Sequence, residues 1–290
     1  MQLLLSNDRI SLRVDTRGAE MTGLNANGTE YLWQADPAFW DQHAPILFPF
    51  VGRLTNGGYR LHGRFYPLAQ HGFAASSEFS VEEENGDRIA LVLRDSEETR
   101  ASYPFSFRFS VIYELLENTV RVTFRVENRS NETMPFGIGG HPGFRVPLCE
   151  GEAFTDYTLE FDEAAEPDRV GFTEKVYLNG KDEPYPLVEG RFLPLSHDLF
   201  DEDAVILKNM AHRVTLRSRV SGRGVTVSYP FMPYLGLWHR PRTTAPYLCI
   251  EPWNGLPSRQ DVEEEITCKS DLVRLPAGQT YETTWTITVF

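Results

Sequence analysis

Apolar side chains recur at every second position in segment after segment of this chain, and almost nowhere at helical spacing. Residues 10–14 read ISLRV, and residues 119–127 read TVRVTFRVE with Val120, Val122, Phe124 and Val126 on one face. Residues 107–116, 157–161, 213–217, 224–229 and 281–290 repeat the pattern, and residues 89–93 are a more continuously apolar run. Alternation of this kind is the signature of strands with one face against a core. Glu117 and Asn118 stand alone between two such runs, the spacing of a tight hairpin. Asn27-Gly28, Asn85-Gly86, Asn179-Gly180 and Ala277-Gly278 are further turn pairs. Residues 37–42 and 196–201 have room for a helical turn each. Residues 258–265, SRQDVEEE, read as a short helix or a solvated loop. Residues 171–192 are the least periodic stretch and are expected to form a long surface excursion.

The expected fold is therefore all-β, a large sandwich of antiparallel sheets, with residues 1–290 forming one domain. A chain of 290 residues buries roughly three quarters of its unfolded surface, enough for a large core without staples. The 19 phenylalanines suit wide sheets, where flat rings pack on a pleated surface. Cys149, Cys249 and Cys268 are odd in number and lack metal-type spacing, so they read as reduced thiols. The net charge of -13 repels a phosphate backbone and argues against nucleic-acid partners and anionic membranes. The opening MQLLLSNDRI lacks the basic flank and long apolar run of a signal peptide. A cytoplasmic monomer or homodimer is the expectation.

Four segments break the alternation and gather glycine, proline, aromatics and titratable groups, the composition of loops that carry sites on a rigid scaffold. Residues 45–74 carry Arg53 at the end of a wholly apolar run, and His71 within Gln70-His71-Gly72-Phe73. Residues 136–147, FGIGGHPGFRVP, surround His141 with Gly139, Gly140 and Gly143. That is poor strand sequence; it suits a backbone with special dihedrals or one that approaches a ligand. In residues 246–258 an apolar run ends at Glu251, next to Pro252-Trp253. A carboxyl leaving an apolar strand beside tryptophan is a candidate base of raised pKa. Asp203 precedes the apolar run of residues 204–207 and taken alone reads as a solvated turn.

Two imidazoles, a carboxylate and a guanidinium form a sensible set for acid–base chemistry on a neutral polyol. The order of the segments, an Arg after an apolar run, then QHGF, then GGHPGF, then a late IEPW, resembles the aldose 1-epimerase (mutarotase) family, nearest its LacX-like branch. The resemblance spans essentially the whole chain. It implies a galactose mutarotase-like β-supersandwich and interconversion of the α and β anomers of an aldose, with no metal or other cofactor. Carried over by motif, it implies His141 as general acid at the ring oxygen and Glu251 as general base at the C1 hydroxyl. Arg53 and His71 would hold the sugar near its ring oxygen, and Asp203 would bind hydroxyls. Trp253 or Trp238 would offer a stacking face, an inference from residue type. On this reading His141 and Glu251 face each other across a cavity one hexose wide.

Many relatives carry a basic residue directly after HGF or HGFA, where this chain has Ala74-Ala75-Ser76. A hexose 6-phosphate substrate would need an arginine such as Arg64 to grip the phosphate. Three other readings compete: a non-catalytic sugar-binding or sugar-sensing module on the same fold, a metal site of His71, His141 and Glu251, and a glycoside hydrolase or lyase, whose hydrolysis needs two carboxylates.

Overall fold

The computed structural model describes residues 1–290. Its longest strands are the alternating runs. Phe107–Leu116 and Thr119–Asn128 pair antiparallel from Phe107 opposite Asn128 to Leu116 opposite Thr119. Glu117 turns the corner at a φ of 54°, and its carbonyl accepts from Asn7 Nδ2. These strands lie within a nine-stranded antiparallel sheet that also holds Thr280–Val289, Gly224–Ser228, Arg213–Ser218 and Tyr157–Phe161. Val120, Val122, Phe124 and Val126 all point inward and are fully buried. Burying each such side chain is worth about 1.5–3 kcal/mol, and that gain sets the register, because a one-residue slip would turn the row outward. The outer face carries cross-strand hydroxyl pairs instead, Thr119 with Thr288 at 2.8 Å and Thr123 with Thr284 at 2.9 Å.

A second antiparallel sheet, of eight strands, packs over the first through one shared core. Its centre is Tyr247–Asn254, flanked by Tyr234–Trp238 on one side and by Ile138–Gly140 and Gly143–Arg145 on the other. Tyr247–Asn254 is buried on both faces, hence its nearly unbroken apolar sequence. Leu248 and Ile250 enter the core between the sheets, whereas Cys249, Glu251 and Trp253 take the opposite face. A four-stranded sheet begins with Gln2–Ser6 and ends with Thr29–Glu30.

Five segments bear out, refine or depart from the sequence reading. The one α-helix, Glu97–Ser102, had no apolar period to announce it; a capping box between Ser96 and Thr99 starts it. Residues 37–42 hold a single turn, with the N–H groups of Phe39 and Trp40 donating to Asp36 O, while the turn expected at 196–201 is the 3-10 helix His197–Phe200. Residues 258–265 form the loop of the two alternatives, exposed at Arg259 and Asp261 but pinned where Ser258 and Glu264 are buried. Glu264 there is 5% exposed and accepts from Nε and Nη2 of Arg259, both at 3.0 Å. Residues 171–192 run over the surface as expected, none of them buried; within them residues 171–181 fold into a narrow hairpin that Leu178 anchors to Ser258 and Gln260 through backbone hydrogen bonds of 2.9 and 3.2 Å.

Candidate active site

The free face of the eight-stranded sheet opens into a cavity of about 830 Å³ lined by Arg53, His71, His141, Asp203, Glu251 and Trp253 among others. The volume lies within the range of about 300–1,000 Å³ usual for small-molecule sites. The five residues singled out by motif and Trp253, singled out by type, thus meet at one cavity, drawn from segments as far apart as Arg53 and Trp253.

His141 follows the strand Ile138–Gly140, and its backbone N–H donates to Pro45 O. The glycines around it have a packing role. A Cβ on Gly139 would sit 2.6 Å from Trp253 Cδ1, one on Gly140 2.6 Å from Trp285 Cζ2, and one on Gly143 3.0 Å from Trp40 Cζ3. None of the three has a positive φ. The expectation of special dihedrals at this turn is therefore corrected: the glycines let tryptophans close against the backbone that carries the imidazole.

His141 Nε2 lies 3.2 Å from Glu251 Oε2. The two therefore stand side by side on one wall, and the expectation of a gap one hexose wide between them is wrong. The contact lacks hydrogen-bond alignment. Glu251 Oε2 and His141 Nδ1 both remain buried without a protein partner, as does the indole N–H of Trp253. Seven buried side-chain polar atoms in the protein lack a partner, and four belong to residues of this cavity, Thr22 being the fourth. Each such atom costs about 1–3 kcal/mol, so their gathering at one place calls for a ligand. Burial pushes the Glu251 carboxyl well above its usual range, and the charge of Asp203 acts in the same direction. Burial lowers His141 to about 3, helped by His71.

His71 sits edge-on to His141, with ring centroids 5.8 Å apart. It adopts a φ of 64°, unusual for a residue with a side chain. Three hydrogen bonds hold it there: His71 N donates to Gly52 O, His71 O accepts from Phe48 N, and Gly52 N donates to His71 Nδ1 at 3.1 Å. Both ring nitrogens thus have a polar neighbour, because Gln70 Nε2 lies 3.1 Å from His71 Nε2. Burial lowers His71 to about 4, with the Arg53 charge adding to the effect. Arg53 itself donates from Nε to Gln70 Oε1 and from Nη1 to the carbonyl of Lys175, each at 3.2 Å.

A profile of the aldose 1-epimerase family matches residues 1–273. The chain belongs to the aldose 1-epimerase family. It is similar to the protein LacX of Lactococcus lactis subsp. lactis, 35% identical over all of this chain and 99% of that one. Among solved structures, a galactose mutarotase related enzyme from Lactobacillus acidophilus superposes with a TM-score of 0.95 at 35% identity, covering 100% of this chain and 97% of the other. A galactose mutarotase-like protein from Lactobacillus casei ATCC 334 gives 0.95 at 32%, with both chains fully covered. The all-β expectation and the mutarotase-like sandwich are thereby established for this epimerase-family chain.

The tryptophans divide differently from the sequence reading. Trp253 is 5% exposed and packs with Leu47, Val51 and Ile206, so it backs the wall and leaves little ring face for a sugar. Trp40, not anticipated, lies over His141 at 5.0 Å and 31° between planes. Trp238 meets both Trp40 and His141 edge-on, at 5.5 and 5.7 Å. The signal for Trp40 was present in Phe39-Trp40-Asp41-Gln42-His43, aromatics beside polar groups in a segment without period. Asp203 takes a φ of 85° and caps Ala204 N with its own carboxylate. Arg64 stands outside the cavity, over the ring of Tyr66 at 4.9 Å. The potential ligand atoms that cluster within 4.8 Å are those of His141, Cys249 and Glu251, so His71 is not part of that group. Burial pushes the Cys249 thiol well above its usual range, with the charge of Glu251 adding to the effect.

Proposed function

We propose that residues 1–290 act as one catalytic domain that interconverts the α and β anomers of a free aldose by acid–base ring opening and reclosure. The observation that carries this reading is the buried, unpartnered His141–Glu251 pair, 3.2 Å apart at the cavity wall. The C1 hydroxyl and the ring oxygen of an aldose are bonded to the same carbon, so an acid and a base acting on them belong side by side.

The pair shares one titrating proton. In the empty site burial favours the neutral arrangement, with the proton on Glu251. Passing it to His141 leaves the total charge unchanged and creates a carboxylate base beside an imidazolium acid. Glu251 then takes the proton of the C1 hydroxyl as His141 gives its proton to the ring oxygen. The C1–ring oxygen bond breaks to leave an open-chain aldehyde. Rotation about C1–C2 presents the other face, and closure reverses both transfers. His71 and Arg53 would steady the ring-oxygen side, and Asp203 would accept from sugar hydroxyls. Five carboxyl groups line the cavity against the two guanidiniums of Arg17 and Arg53, a balance that favours a free over a phosphorylated sugar.

The test is NMR exchange or polarimetry on freshly dissolved α-anomers of free and 6-phosphorylated aldoses. The wild-type protein should accelerate equilibration. Glu251→Gln should lose about 10²–10⁴-fold in rate while retaining most sugar affinity. No acceleration by the wild-type protein across the panel would leave a sugar-binding module in place of an enzyme.

A further inference from the structure

A second cavity of about 810 Å³ adjoins the first. Phe172, Val176, Asp203 and Ala204 line both. These four come from two separate elements, the 171–181 hairpin and the turn at Asp203, so they bracket a junction between the two spaces. The hairpin is a built wall. Thr173 N donates to Tyr177 O, Asn179 Nδ2 donates to Phe172 O, and Arg53 Nη1 holds the carbonyl of Lys175 near its tip. Val176 keeps a φ of 61°, a strained conformation for a β-branched residue, which persists only where its surroundings fix it.

We propose that this outer cavity is a second sugar subsite, so that the preferred substrate is a reducing disaccharide or longer glycan with its reducing unit at His141 and Glu251. The proposal rests on the anomerase reading above and adds the substrate class. Asp203 stands at the junction: its charge acts on Glu251, and it lines the outer space too. A sugar hydrogen-bonded there has its reducing end at the acid–base pair and its far end directed outward. Phe172 supplies an aromatic face at the boundary, Lys181 and Arg242 supply donors for hydroxyls, and Thr173 and the carboxylates supply acceptors. The charges decide between a glycosyl unit and a phosphate. Five carboxylates line the outer cavity against three cations, and one of these, Arg169, faces Glu202 at 3.9 Å. A phosphate would meet net repulsion; a neutral polyol meets donors and acceptors of both kinds.

Anomer exchange should be measured for glucose, galactose, glucose 6-phosphate and a panel of reducing disaccharides with α- and β-1,4 and 1,6 linkages. At least one disaccharide should give a kcat/KM about tenfold or more above that of its free reducing-end hexose. Lys181→Ala/Arg242→Ala should raise KM for that disaccharide several-fold and leave hexose kinetics unchanged. Equal or faster turnover of free hexoses than of every disaccharide would overturn the subsite while leaving the anomerase intact. So would a double variant that affects hexose and disaccharide alike, or a preference for glucose 6-phosphate. Absence of any acceleration on any sugar would remove the anomerase reading and the subsite with it.

Discussion

Two places in this protein set a packed imidazole against a second titratable side chain, and they differ in what is left unsatisfied. His239 is fully buried, with Nε2 3.1 Å from His197 Nδ1 and Nδ1 2.8 Å from Arg240 O. One tautomer satisfies the whole chain: His239 Nδ1–H donates to the carbonyl, and His197 Nδ1–H donates to His239 Nε2. Phe154 stacks on His197 at 4.1 Å, and Phe200 packs against His239 at 4.5 Å. His141 is also packed by aromatics, Trp40 and Trp238. Its Nδ1 has no partner, however, and its Nε2 meets a carboxylate out of alignment. Burial lowers the imidazole pKa in both places, so the shift alone does not distinguish a site from a structural pair. The unpartnered atoms and the open cavity do.

The largest effect should come from removing one imidazole of each pair. His141→Asn should slow anomer exchange by about 10²–10⁴-fold, the contribution of a positioned acid or base, with little loss of stability. His239→Asn should do the reverse, costing about 1–3 kcal/mol for a broken buried hydrogen bond and leaving kcat within about threefold of wild type. Rate assays and urea denaturation on the two variants measure both quantities. A rate loss of equal size in both would show that the two pairs are not functionally distinct.

A smaller effect tests the aromatic cover. Trp40→Ala should let water reach His141, raise its pKa towards the ordinary imidazole value and lower kcat about tenfold. Trp40→Phe should restore much of the rate and the low pKa. An NMR titration of the His141 ring beside the pH profile of kcat separates this from general loosening. If the Trp40→Ala profile keeps its wild-type acid limb, Trp40 does not govern the protonation of His141.

The strands were legible because each long run has one face in a core, and burial of Val120, Val122 and Phe124 enforces period two. The site residues were legible as types: histidine among glycines and a glutamate beside a buried tryptophan are costly to keep in a fold without a use. Their arrangement was not. Nothing in FGIGGHPGF says that Gly139 and Gly140 face Trp253 and Trp285, because those contacts join residues more than a hundred positions apart. The adjacency of His141 and Glu251 follows from strand pairing, with Gly139 opposite Trp253 and Gly143 opposite Cys249. The residue between those ladders comes up beside Glu251, and the sequence carries no mark of that register. The surface course of residues 171–192 was legible, but the hairpin at 171–181 was not, because its order comes from backbone hydrogen bonds and one anchoring leucine, which leave no hydrophobic period.

The smallest expected effect is a slope, and it should be the same in both regions. His239 and His71 are lowered to about 4 and His141 to about 3, each mainly by burial. Below about pH 6.5 the unfolded chain protonates these rings while the folded protein does not, so the unfolded state binds more protons and stability falls as pH drops. Each ring contributes at most about 1.4 kcal/mol per pH unit between 6.5 and its folded value. Glu251 acts with the opposite sign, since its raised pKa makes the folded state the better proton binder above the usual carboxyl range. Urea denaturation at pH 7, 6 and 5 should therefore show a positive slope of stability with pH. His239→Asn and His141→Asn should each flatten it by a similar amount, although only the second slows catalysis strongly. A slope unchanged in His239→Asn would mean that this ring is protonated alike in the folded and unfolded chains, and burial could no longer be taken as the feature the two regions share.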